Sequence, residues 1–190
     1  MLAVARSTLR AAALNARTLQ LDASELGHDP RFPNDKFDVV LANHMLYHVP
    51  DLDAALRGTR RVLRPGGMLL AATNGRRHLQ ELSDLAREEL PVPYLRGARL
   101  AFDLENGEAL LGDHFRSVTL YRNEDVLRVT DDSAIVAYVA SMAGVAGQPV
   151  SALPAELAFA LDSIGKRVRN VIRERGAFTV QRATGLFAAT

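Results

Sequence analysis

Apolar positions recur along this chain in two periods, one close to 3.6 residues and one of two, and the alternation between them sketches the architecture. Leu2, Ala5, Leu9 and either Ala12 or Ala13 share one helical face, which predicts an amphipathic helix over residues 2–16. Leu19 and Leu21 alternate as in a short strand, followed by a loop that contains Gly27, Pro30 and Pro33. Residues 39–42, VVLA, form a continuous apolar run of the kind found in a parallel strand buried on both faces. From Asp51, a residue suited to cap a helix, Leu52, Ala55, Leu56, Thr59, Val62 and Leu63 repeat at helical spacing until RPGG breaks the pattern. Residues 68–74, MLLAATN, then read as a second buried strand. Strand, helix, strand in succession predicts a right-handed crossover and an α/β layered fold.

Beyond residue 75 the pattern predicts a helix over 78–90, a loop PVPYLRG with two prolines, and a helix from Glu105 closed by Gly112. VTLYR and DVLRVT alternate as strands and are separated by turn-forming Asn123, Glu124 and Asp125, which predicts a hairpin. A helix capped by Asp132, a connection GVAGQPVSALP, a long helix over 155–175 ended by Gly176, and a final strand-like run AFTVQRATGLFAAT complete the chain.

A length of 190 residues suits a single domain, 1–190, with a sizeable core. Hydrophobic residues at 48% and charged residues at 24% are ordinary for a folded soluble protein. The net charge of +1 is spread among acids rather than concentrated, which argues against a nucleic-acid partner. GKRVRNVIRER is the densest basic stretch, and helical spacing reads it as a solvated face. Cysteine is absent, which excludes disulfides and thiolate chemistry. The start has no uninterrupted apolar core of a signal peptide, and no apolar window is long enough for a membrane helix, so the expectation is a cytoplasmic protein away from membranes.

Candidate chemistry gathers at strand ends. Asp22, Ala23 and Ser24 follow the first strand-like run, Asn43 to His48 the second, and Thr73, Asn74 and Gly75 the third. Ligands in open α/β sheets bind outside the carboxyl ends of the strands, although any such fold also shows polar residues there. Asp22 is equally suited to cap a turn or to accept a hydrogen bond from an exocyclic amine. His44 and His48 share the spacing of a zinc-binding HExxH, but Met45 stands where that motif needs glutamate, so no metal site is expected. The chain shows no GxSxG elbow and no GxGxxG phosphate loop.

DASEL, then FPNDKFDVVLANHMLYHVPD, then a helix ending RRVLRPGG before an apolar strand, resembles the class I S-adenosylmethionine-dependent methyltransferases of the type 11 group over residues 1–75. The resemblance implies a Rossmann-like sheet in the order 3-2-1-4-5-7-6, S-adenosyl-L-methionine as cofactor, and a small organic acceptor methylated by in-line transfer. It further implies that Asp22 and Ala23 hold adenine, that Asn43 and His44 border the methionine part of the cofactor, and that Tyr47 and His48 face the acceptor. His48 is then a proton acceptor or positioning group and Tyr47 an orienting one, against the plainer reading of His48 as a helix-start histidine bonded to backbone. Tyr94, Phe102 and Tyr121 are either acceptor-site walls or core. The family's glycine-rich loop and the acid after its second strand have no counterpart, so the expected sheet is N-terminally incomplete, without strands 1 and 2. Three outcomes fit that expectation: a fragment, a late start, or direct pairing of TLQL with FDVVLA. An inactive remnant or partner subunit is the alternative function, and a homodimer stays open.

Overall fold

The computed structural model describes residues 2–94 and 100–190. Among the described residues four strands form one sheet in the order β1-β2-β4-β3, with β1 at Phe37–Asn43, β2 at Leu63–Asn74, β3 at Val118–Val129 and β4 at Phe178–Ala189. β1 and β2 are parallel, joined through helix α2 (Leu52–Val62), while β4 runs antiparallel to both its neighbours, β2 and β3. This is the mixed α/β architecture the apolar runs predict, and the strand order matches the 4-5-7-6 half of the sheet that the resemblance implies.

Helix α2 forms where expected because both ends are specified. Asp51 caps it by accepting a hydrogen bond from the Ala54 amide at 2.9 Å, and Ala55, Leu56, Thr59 and Val62 bury one face. The chain passes directly from Val62 into extended Leu63. The strand register jumps from Phe37 opposite Leu63 to Val39 opposite Met68, so the PGG segment is a bulge inside the strand rather than a separate loop, with Gly66 at φ +77° supplying the left-handed turn.

Pairing sorts the sheet into two faces. Val40, Ala42, Leu69, Ala71, Phe187 and Ala189 lie on one, buried beneath α2 and helix α4 (Gly107–Gly112). Phe102 meets Phe187 there edge to face, with centroids 5.5 Å apart. The approach is so close that a Cβ on Gly107 would fall 2.5 Å from the Phe187 ring. On the other face, helices α3 (Gln80–Glu89), α5 (Asp132–Met142) and α6 (Ala155–Arg175) pack around Val180. Toward β1 that second face is open, and Val39 and Leu41 are 47% and 64% exposed.

Several local expectations are corrected. TLQL is not a strand: no described strand precedes β1, which forms the sheet edge, so the direct TLQL–FDVVLA pairing does not occur. Two alternating leucines bury too little to hold a strand without a partner beside it. The hairpin is also absent, because 118–129 is one continuous strand whose Asn123, Glu124 and Asp125 each pair with β4. A long partner strand overrides local turn chemistry by satisfying the whole backbone ladder. Helix α1 (Leu2–Ala11) ends earlier than expected, since Ala13 turns left-handed at φ +54°. The cap of α5 is Asp131, one residue before the predicted Asp132, and the helix expected from His78 starts at Gln80. The helix expected from Glu105 starts at Gly107. The long helix α6 and its Gly176 stop, at φ +77°, fall where the sequence puts them.

Candidate functional site

The carboxyl ends of β1 and β2 lie side by side, because the two strands are parallel and in register from Val39 to Asn43. At the end of β1 the His44 amide still donates to the Ala72 carbonyl at 3.0 Å, and the chain then turns left-handed at His44, φ +49°. A non-glycine residue held there costs on the order of 1 kcal/mol, a strain that proteins retain where a turn must be placed. The strain throws Met45 and the 3-10 turn Leu46–His48 over the sheet end, with Leu46 buried as its anchor. Asn43, His44 and His48 are exposed on this wall, and the rings of Tyr47 and His48 lie 4.4 Å apart. The turn brings Asn43, His44, Tyr47 and His48 together on one wall, and the His48 main-chain amide donates to the Met45 carbonyl at 2.9 Å.

Asp22 is held by different means. Its Oδ1 accepts from the Ser24 amide at 2.9 Å and the Ser24 hydroxyl at 2.6 Å, capping the 3-10 turn Ala23–Glu25. These bonds, the hydroxyl first, hold its carboxyl below the usual range. The capping role is thus realised, and it leaves Oδ2 without a partner among the described residues. The loop is positioned by α2 rather than by a strand. Arg61 donates to the Leu26 carbonyl at 2.7 Å and to Asn34 Oδ1 at 2.6 Å, and Gly58 lets the Leu26–Gly27 backbone rest directly on the helix.

The end of β2 carries groups that motif reading missed. A cavity of about 420 Å³ there is lined by Asn74, Gly75, Arg76, His78, Ser83, Leu100 and Asp103. Asp103 is fully buried and accepts from Arg76 Nε at 2.8 Å and from the Glu105 and Asn106 amides at 3.0 and 2.8 Å. His78 is held below its ordinary value by burial first, then by the charges of Arg182 and His44. The advance signal was the polar strand end Thr73, Asn74 and Gly75, which pointed to the place but not to Arg76, His78 or Asp103. Nothing local tied it to Asp103, which is 27 residues from Arg76.

Of the aromatic wall candidates, Phe102 is core at 0% exposure, Tyr94 packs against the α3–α5–α6 cluster, and Tyr121 is exposed on the open sheet face. Among the described residues no cluster of histidine, aspartate or glutamate has the arrangement of a metal site, and no helix is long and apolar enough to cross a membrane.

Residues 1–71 match the methyltransferase domain family. The chain is 41% identical over 85 residues to the ubiquinone/menaquinone biosynthesis C-methyltransferase UbiE of Vibrio parahaemolyticus, a match spanning 44% of this chain and 31% of that protein. It is 31% identical over 116 residues to the polyketide synthase-nonribosomal peptide synthetase TwmB of Talaromyces wortmannii, spanning 61% of this chain and 4% of that one. The chain therefore spans less than a third of either relative. Among solved structures, the YcgJ protein of Bacillus subtilis superposes with a TM-score of 0.56 at 17% identity, covering 99% of this chain and 76% of that one. The [4+2]-cyclase SpnF superposes with a TM-score of 0.52 at 17% identity, covering 100% and 62%. A cyclase on the same fold shows that the fold alone does not set the reaction.

Proposed function

We propose, from the premise that this chain is a member of the class I methyltransferase family, that it forms the acceptor side of an S-adenosylmethionine-dependent methyltransferase acting on a small organic molecule. The observation that carries this reading is the strained left-handed turn at His44, which gathers Asn43, Tyr47 and His48 at the carboxyl end of β1, beside the end of β2.

The residues fit one side of that cofactor. Asp22 Oδ2 is free for the adenine amine with Ala23 beside the ring, and Asn43 and His44 border the methionine part. Among the described residues no strand pairs with the outer edge of β1, where the resemblance puts the strand that carries the glycine-rich loop. When bound, the cofactor supplies an electrophilic sulfonium methyl. This chain's part is alignment and desolvation of the acceptor. Tyr47 orients the acceptor, and His48 takes the proton from its oxygen or nitrogen as a general base.

A second reading, a non-catalytic remnant or partner subunit, is favoured by the open edge of β1. Phe37, Val39 and Leu41 are 36%, 47% and 64% exposed, where full burial would contribute about 1.5–3 kcal/mol each. Calorimetric titration of the chain with S-adenosylhomocysteine separates the two. Micromolar binding that weakens in Asp22→Ala supports the enzyme; no heat at millimolar ligand supports the remnant.

A further inference from the structure

We propose that the cavity at the end of β2 is the acceptor subsite, and that His78 is its positioning residue, donating a hydrogen bond from Nε2 to a phenolic or enolic oxygen. This deepens the methyltransferase reading and rests on it.

Strand β4 continues past the end of β2, whose last pair is Asn74 with Thr184. Beyond that pair the β4 edge would present unsatisfied backbone groups, and the segment leading into α3 takes the vacant place. The Gly75 amide donates to the Ala183 carbonyl at 2.8 Å and the Leu79 amide to the Gln181 carbonyl at 2.9 Å. In return the Gln181 amide donates to Glu81 Oε2 at 3.0 Å, and the Ala183 amide to His78 Nδ1 at 3.3 Å. Leu79 is forced left-handed, φ +52°, to close this arrangement.

The bond from Ala183 fixes the chemistry of the ring. With Nδ1 accepting, the neutral imidazole carries its proton on Nε2, so it faces a ligand as a donor and has no lone pair there to act as a base. Nε2 has no partner among the described residues.

The neighbouring groups decide what the donor meets. Asp103 is saturated by Arg76 and two backbone amides, so it offers little to a ligand. Arg76 commits its Nε to Asp103, with Glu105 at 4.0 Å, which neutralises the cation while leaving its terminal N–H groups without partners among the described residues. The Asn74 side chain is likewise unengaged among them. Free donors outnumber free acceptors, and the local charge is close to balanced. That combination suits a neutral hydroxyl or carbonyl oxygen and disfavours both an amine and a phosphate dianion. Leu100 supplies an apolar wall.

The test uses the full chain with labelled histidine, titrated with 2-naphthol and separately with naphthalene, following the His78 ring nitrogens by NMR. The expected result is an Nε2-protonated ring in the free chain, a shift of Nε2 on adding 2-naphthol, and affinity for 2-naphthol about ten-fold above naphthalene. His78→Gln, which keeps a donor near Nε2, retains that preference, and His78→Leu abolishes it. Equal affinity for the two probes, an unmoved His78 signal, or an Nδ1-protonated ring overturns the assignment. Should His78→Leu fail to fold, the wild-type titration and His78→Gln decide alone. Because the titration is run without cofactor, loss of naphthol recognition with intact S-adenosylhomocysteine binding defeats this inference only, and the converse defeats the methyltransferase reading and with it the name acceptor subsite, leaving His78 as a hydroxyl-binding donor.

Discussion

Gly58→Ala sets two opposing effects against each other. Within α2, alanine is favoured over glycine by about 0.8–1.0 kcal/mol, because it loses less backbone freedom on folding. At position 58, however, the added Cβ would stand 2.5 Å from the Gly27 nitrogen and 3.0 Å from its Cα, about 1 Å inside ordinary contact. The obstructing atoms are backbone on both sides, so no side chain can swing away. Overpacking of this kind costs about 1–3 kcal/mol. Lifting the loop would also break the bond from Arg61 to the Leu26 carbonyl at 2.7 Å, worth about 1.5–3 kcal/mol as a bond to a charged group. Clash and lost bond together outweigh propensity, and the expected net loss is about 1.5–5 kcal/mol. Urea unfolding by linear extrapolation measures it, and hydrogen exchange at His28 and Asp29, whose amides bond Glu25, locates it in the loop that carries Asp22. Gly112→Ala is the control, because a Cβ there meets nothing within 4 Å and the helix should gain up to about 1 kcal/mol. A Gly58→Ala protein as stable as the wild type, with unchanged exchange at His28 and Asp29, would refute the account of how α2 positions the loop.

Asp103→Ala should cost about 2–4 kcal/mol in the same assay, since two backbone amides lose their acceptor, whereas the half-exposed Arg76 recovers solvent; Asp103→Asn should cost less than half as much. His78 contributes a pH dependence of definite sign. Its folded value lies below the free value of 6.5, so the unfolded chain takes up the proton first; stability is full above that pH and declines as pH falls through it. Unfolding of wild type and His78→Gln at pH 7.5 and 5.5 should show the larger acid loss in the wild type, and parallel losses would count against it. Leu41→Lys on the exposed edge of β1 should change stability by less than about 0.5 kcal/mol and suppress self-association on size-exclusion chromatography. A strong destabilisation would mean that this edge is covered in solution.

The sequence by itself determined the elements whose local signals agree at both ends: α2 between its Asp51 cap and the PGG bulge, α6 up to Gly176, and the apolar runs that became β1 and β2. It also put Asn43, His44, Tyr47 and His48 on one wall, because a strand followed at once by a tight turn leaves them little else to do. Tertiary structure decided whatever depended on a distant partner. Residues 118–129 became one strand instead of a hairpin because β4 paired with all of it, and TLQL became no strand because no described strand pairs with it. His78, Arg76 and Asp103 met at one cavity because β4 outruns β2, and its orphaned amides had to be satisfied by the segment that carries the histidine. Periodicity records which face of an element is buried; only the fold records which backbone edge is left to be capped, and there the unforeseen chemistry of this protein lies.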